Sequence, residues 1–178
     1  MKITVINESG YNEAILGISL SYGTCIDRAA ITATRLCKQE GGHNKFLESI
    51  CIWISVDAPR YFWQQFDTYR VGVTKQSEST MHTILKRELS IFDFENPINR
   101  TILDILNQYI RDKNFDAVKD HLPEGYLQRR IICTNYKALR NILRQRLTHR
   151  LPQWQTFIKE VYEQCKHKDF LSDLYTTQ

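Results

Sequence analysis

The chain has 178 residues, of which 42% are hydrophobic, 11% aromatic and 25% charged, with a formal net charge of +4. This length fits one domain of ordinary size with a packed core, and the charged fraction is that of a soluble globular protein. No apolar run approaches the roughly 20 residues of a membrane span, and Met1 to Gly10 lacks the basic start and long apolar stretch of a secretory signal.

Met1–Ile6 alternates and is predicted as a short strand. From Asp27 to Cys37, residues Ile26, Ala29, Ala30, Ala33, Leu36 and Cys37 fall at helical spacing, and Gly41-Gly42 ends that helix. A short helix is predicted over His43–Glu48. Ser49–Val56 is β-branched and aromatic, the composition of a buried strand. Asp57-Ala58-Pro59 predicts a helix start, with Asp57 as cap and Pro59 in the first turn, running to about Tyr69. Arg70–Thr80 is polar and is predicted as a loop.

Asn96-Pro97 opens a helix whose stripe is Ile98, Ile102, Ile105, Leu106, Tyr109 and Ile110. Asp116–His121 is a second short helix, Leu122–Gly125 a turn and Arg129–Thr134 a short strand. Asn135 caps a helix to about Thr148. A last helix follows Pro152, with Trp154, Phe157, Ile158, Val161, Tyr162 and Cys165 inward. The order is mixed, helix-heavy and poor in strands.

The five cysteines, at 25, 37, 51, 133 and 165, form no CxxC; Cys51 lies between Ile50 and Ile52, and Cys133 follows Ile132. They are expected to pack as small hydrophobes rather than to bind metal, which points to a reducing cytoplasm. From Tyr126 to Lys159 there is no acidic residue, while Arg129, Arg130, Lys137, Arg140, Arg144, Arg146, Arg150 and Lys159 all fall there. A one-signed block favours an anionic partner, nucleic acid included, or else forms a solvated basic face.

On the helix after Asn135, Arg146 projects beside the apolar stripe of Leu139, Ile142 and Leu143. An arginine so placed needs a partner, either a buried carboxylate or a bound anion. Tyr61–Thr80 ends a helix and leads into hydrogen-bonding side chains, with Arg70 and Lys75 as cations. Such a set suits phosphate and heterocycle recognition. Walker, GxGxxG, HExxH and GxSxG motifs do not occur.

Two blocks resemble a known family. GHNKFLESICIWISVDAPRYFWQQFDTYR is similar to the stretch of flavin-dependent thymidylate synthases that reads GHxSxxEH, a strand, AP, and a helix ending QxxRHR. His43, Glu48, Ala58, Pro59, Gln65 and Arg70 match it without gaps. LPEGYLQRRIICTNYKALRNILRQR resembles the family's LP, strand and NxRxLxNxLxxR. Leu122, Pro123, Asn135, Leu139, Asn141, Leu143 and Arg146 are in register, and Lys137 replaces an arginine. Pro152-Gln153-Trp154 resembles the family's AQW.

The resemblance implies an α+β fold of the thymidylate synthase complementing protein type, a small, mostly antiparallel sheet with several long helices, as one domain over 1–178. It implies an enzyme that binds FAD and moves a one-carbon unit from methylenetetrahydrofolate to deoxyuridylate (dUMP), with NADPH as reductant. Arg146 would bind and activate the pyrimidine. Gln65, Lys119 and Ser79 would contact the nucleotide, with Lys119 on its phosphate. Arg70, Asn135, Lys137, Asn141 and Tyr69 would hold the cofactor. The implied assembly is a cytoplasmic homotetramer, and no metal is implied.

The sequence departs from the family in its central motif, RHRxxSxNExSxR. Only Arg70 matches without a shift. Thr68 and Tyr69 stand for Arg and His, Val73 for Ser and Thr80 for Arg, and Ser49 replaces the His after Glu48. Each lost charge-assisted bond is worth about 1.5–3 kcal/mol. The alternatives are therefore flavin-dependent modification of a different pyrimidine nucleotide, or a non-catalytic nucleotide- or nucleic-acid-binding relative.

Overall fold

In the computed structural model, residues Met1–Tyr175 are described. Four strands, β1 (Lys2–Ser9), β2 (Cys51–Pro59), β3 (Val73–Ser77) and β4 (Leu127–Asn135), form one antiparallel sheet in the order β1-β2-β4-β3. Nine helices occur among the described residues: α1 (Tyr11–Tyr22), α2 (Ile26–Leu36), α3 (Arg60–Phe66), α4 (Thr80–Thr83), α5 (Arg100–Arg111), α6 (Phe115–His121), α7 (Tyr136–Arg146), α8 (Pro152–Gln164) and α9 (Ser172–Tyr175). Lys45–Ser49, Ile91–Asp93 and Lys168–Phe170 are 3-10 turns. None of these helices is long and apolar enough to cross a membrane.

The chain divides into two compact units. The first comprises Met1–Lys2, Val56–Thr68 and Gln76–Arg130. Its core gathers Ile84, Leu89, Phe94, Leu106, Ile110, Val118, Leu122 and Tyr126. Asn107 is buried in α5, where its amide accepts from Leu89 N at 2.7 Å and donates to Leu89 O at 2.9 Å, so no amide group is left unsatisfied against the loop. On α3, Trp63 is buried and donates from Nε1 to Gln128 O at 2.8 Å. Arg130 lies 4.5 Å from the Trp63 ring centroid and donates from Nη1 to both Asp67 oxygens, at 2.9 and 3.0 Å.

Among the described residues, the second unit comprises Ile3–Ser55, Tyr69–Lys75 and Ile131–Tyr175. Helices α1 and α2 pack together through Ala14, Ile15, Ile18, Ala29 and Ala33. Leu139, Ile142 and Leu143 of α7 and Trp154, Phe157, Ile158 and Val161 of α8 are also buried. Gly10 is obligatory here: its φ is 88°, and a Cβ would lie 2.1 Å from Ser49 O. Tyr136 is buried and donates to Glu8 Oε2 at 2.7 Å. Burial drives its phenol pKa far upward, so it stays a neutral donor.

Several elements differ from the expectations above. Asp57 does not cap a helix. Strand β2 runs on to Pro59, and the helix begins at Arg60. The buried alternation Ile52, Ile54, Val56, Ala58 continues through that stretch, and β2 is an inner strand whose ladder outweighs one capping bond. The polar stretch read as a loop contains β3, an edge strand, where polar side chains are the rule and the backbone does the pairing. Helix α1 is weakly signalled because Gly17, Ser19 and Ser21 lower its propensity. Helix α5 starts after Asn99, whose Oδ1 accepts from Thr101 N at 2.9 Å, and its Ile102 and Ile105 are exposed. Cys37 and Cys165 are buried as expected, whereas Cys25 is exposed and Cys51 and Cys133 are half-buried.

Candidate functional site

A ligand-sized cavity of the second unit lies over the solvent face of α7. Strand β4 ends at Asn135, whose side chain caps the helix by accepting from Ala138 N at 2.9 Å. Leu139, Ile142 and Leu143 turn into the core, so Lys137, Ala138, Arg140, Asn141 and Arg144 are left on the opposite face. These residues, with Glu40, Asn44, Glu48, Val71 and Gly72, line a cavity of about 710 Å³, a ligand-sized space. Asn44 is buried, and its Oδ1 finds no donor among the described residues.

Gly72 forms part of this wall. Its φ is 69°, and its carbonyl accepts from Thr134 Oγ1 at 2.8 Å. A Cβ there would meet Asn135 Nδ2 at 3.1 Å and Ala138 Cβ at 3.3 Å. Gly72→Ala is expected to cost about 1–3 kcal/mol through left-handed strain and crowding of the cap. Thermal unfolding checks this, and an unchanged melting temperature would show that the wall yields freely.

Three cations face the cavity, each with an acid. Lys137 Nζ pairs with Glu48 Oε1 at 2.5 Å, Arg144 Nη1 with Glu40 Oε1 at 2.7 Å, and Arg140 donates to both Asp173 oxygens at 2.7 and 2.8 Å and to the Phe170 carbonyl. The Arg140 hydrogen bond holds the Asp173 carboxyl below its ordinary 3.8. A depressed carboxyl contributes stability above its unfolded pKa and loses it as pH falls through the folded value. The stability difference between the native chain and Asp173→Asn is therefore expected to be full at pH 6 and to shrink as the pH falls below about 4 and on through the folded value. Urea titrations on acidification test it; a difference that does not shrink would contradict the pairing.

The acid-free basic block is largely neutralised from elsewhere in the sequence. Arg129 pairs with Asp57, Arg130 with Asp67, Lys137 with Glu48, Arg140 with Asp173, Arg144 with Glu40 and Lys159 with Glu163. Arg146 meets two aromatic rings instead. Among the described residues no carboxylate pairs with it. Its guanidinium lies 4.7 Å from the Trp154 ring centroid and 5.3 Å from that of Tyr69, and Nε donates to Tyr69 Oη at 2.7 Å. Aromatic faces attract a cation without neutralising it, so its charge stays available.

Of the residues predicted for cofactor and substrate, Asn135, Lys137 and Asn141 share the cavity wall. Tyr69, beside the exposed Arg70, and Arg146 lie in the same unit. Gln65, Ser79 and Lys119 lie in the first unit. There Lys119 Nζ donates to Thr80 Oγ1 at 2.7 Å, Ser79 precedes α4, and Gln65 is half-buried on α3. Sequence reasoning missed Asn44, Glu40, Gly72 and Gln145. Of these only Gln145 had a local signal, four residues after Asn141 on one helix face.

Sheet order, helix sequence and the cavity on α7 together define an α+β protein with a ligand-sized site. Its fold is that of the flavin-dependent thymidylate synthases. Two solved structures of thymidylate synthase X from Helicobacter pylori, both with FAD and dUMP, match it with a TM-score of 0.80. Each match covers 98% of this chain and 99% of the other, at 17% identity, so the likeness is one of fold. No known protein-family model and no curated protein sequence matches the chain.

Proposed function

We propose that this protein is a flavin-dependent, deoxyuridylate-binding methyltransferase of the thymidylate synthase type. One observation carries the reading: Asn135, Lys137 and Asn141, which the sequence resemblance assigns to the flavin, line one ligand-sized cavity in a chain of that fold. The residues present fit FAD. Side-chain amides offer donors to a heterocycle, Lys137 and Arg144 keep N–H groups beyond those given to Glu48 and Glu40 for a pyrophosphate, Asn44 has an oxygen wanting a donor, and Gly72 leaves space that a side chain would fill. Asn135, Lys137 and Asn141, with Tyr69 and Arg70, would hold the group, and when bound it supplies hydride transfer.

The substrate contacts are assigned as follows. Arg146 donates to the pyrimidine of dUMP and stabilises negative charge developing on the ring, which a permanently charged group does well away from water. Lys119 contacts the nucleotide phosphate, with Gln65 and Ser79 as further contacts. Methylenetetrahydrofolate donates the one-carbon unit and NADPH the reducing equivalents, in a cytoplasmic homotetramer. The visible absorption spectrum tests the cofactor: protein passed through a desalting column after mixing with FAD is expected to stay yellow. A colourless product overturns the reading.

A second reading, modification of a different pyrimidine nucleotide, is favoured by Thr80. It stands where the family has an arginine, and its hydroxyl instead accepts from Lys119. One cation fewer near a phosphate contact departs from the family's way of holding its own nucleotide. Calorimetry with dUMP beside uridine, cytidine and thymidine nucleotides separates the two readings.

A further inference from the structure

A chain of hydrogen bonds runs along one side of α7. Arg146 Nε donates to Tyr69 Oη at 2.7 Å, Tyr69 Oη donates to Gln145 Oε1 at 3.2 Å, and Gln145 Nε2 donates to Asn141 Oδ1 at 3.1 Å. Chemistry sets the direction. A guanidinium has donors only, so the Tyr69 oxygen accepts from it and directs its single proton elsewhere. That proton goes to Gln145 Oε1, which leaves the Gln145 amide nitrogen to donate to Asn141 Oδ1. Asn141 is thereby held with Nδ2 outward, and among the described residues Nδ2 has no acceptor. Asn141 lines the 710 Å³ cavity.

We infer that Tyr69 and Gln145 are positioning residues. Together they fix Asn141 as a hydrogen-bond donor toward the cavity and tie that donor to the orientation of Arg146. The ligand must then present an acceptor at Asn141, the carbonyl oxygen or unprotonated ring nitrogen of a heterocycle. The choice of acceptor chemistry rests on the flavin reading; the chain itself does not. Beyond the direct cofactor contact proposed above, Tyr69 thus acts on Asn141 through Gln145. Pre-organisation is its contribution, because an amide already turned the right way loses no rotamer freedom on binding.

The test uses the full chain and four proteins: native, Tyr69→Phe, Gln145→Leu and Gln145→Glu. Hydrogen exchange of the Arg146 Nε–H, followed by NMR, reads the chain without any ligand. Tyr69→Phe keeps the ring and removes the acceptor, so exchange should quicken by about tenfold. Gln145→Leu should quicken it less, by about threefold. Gln145→Glu still accepts from Tyr69 and should restore native protection. FAD affinity reads the far end. Gln145→Leu frees the Asn141 amide to rotate, and Gln145→Glu, an acceptor only, turns it round. Both should weaken FAD binding, by about fivefold or more.

Native exchange in Tyr69→Phe overturns the proposal, as does native FAD affinity in Gln145→Leu. Weakening by Gln145→Glu alone also overturns it, because that is simple charge repulsion of an anionic ligand. If the native chain retains no FAD, the flavin reading fails, and the exchange series by itself decides the chain.

Discussion

Arg146→Ala is expected to weaken dUMP binding by about 100-fold or more while the protein stays folded. Two charge-assisted hydrogen bonds at about 1.5–3 kcal/mol each account for a loss of that size. The structural cost is smaller. Arg146 is half-buried, and what it gives the fold is one hydrogen bond to Tyr69 and two ring contacts, together worth about 1–2 kcal/mol. Isothermal calorimetry alongside thermal unfolding separates the effects. Arg146→Lys keeps the charge but loses the planar fork and the Nε–H, and should recover less than about a tenth of the lost affinity. Nucleotide affinity within a fewfold of native for the alanine variant would remove Arg146 from the substrate site.

The largest loss of stability is expected from Trp154→Ala. Trp154 has no exposed surface and meets Tyr69, His149 and Phe157 edge to face, with ring centroids 5.9 to 6.3 Å apart. Removing it leaves a cavity and strips one ring from Arg146, at about 3–5 kcal/mol. That is a large part of an ordinary domain's stability and corresponds to a fall in melting temperature on the order of 10 °C. Trp154→Phe keeps most of the apolar volume and should lose less than half as much. A small effect of the alanine variant, read by thermal unfolding, would mean that the rings close over the gap. Because Trp154 also holds the guanidinium, the phenylalanine variant should weaken nucleotide binding more than its stability change alone explains.

Much of the fold was legible because long-period patterns survive without tertiary help. The α7 cap at Asn135 and the α8 face of Trp154, Phe157, Ile158 and Val161 lie where local spacing put them. The errors fall where packing overrides local preference. Asp57 has the chemistry of a helix cap, but it belongs to an inner strand held on both sides. Val73–Ser77 has no hydrophobic pattern, because an edge strand in solvent needs none.

For the site, the sequence by itself determined which side chains α7 presents. The cap residue, the helical period and the apolar stripe leave Lys137, Arg140 and Arg144 mainly on one face and Arg146 beside the stripe. It could not determine what those cations meet. Glu40, Glu48 and Asp173 are 104, 89 and 33 residues away from their partners, and one-dimensional spacing carries no information about contacts at that separation. Tertiary structure alone decided that the basic block is mostly paired, that Arg146 lies beside two aromatic rings, and that Asn141 Oδ1 accepts from Gln145 at the cavity wall. The physical reason is the same each time: a charge or an amide is set by its nearest partner in space, and folding chooses that partner.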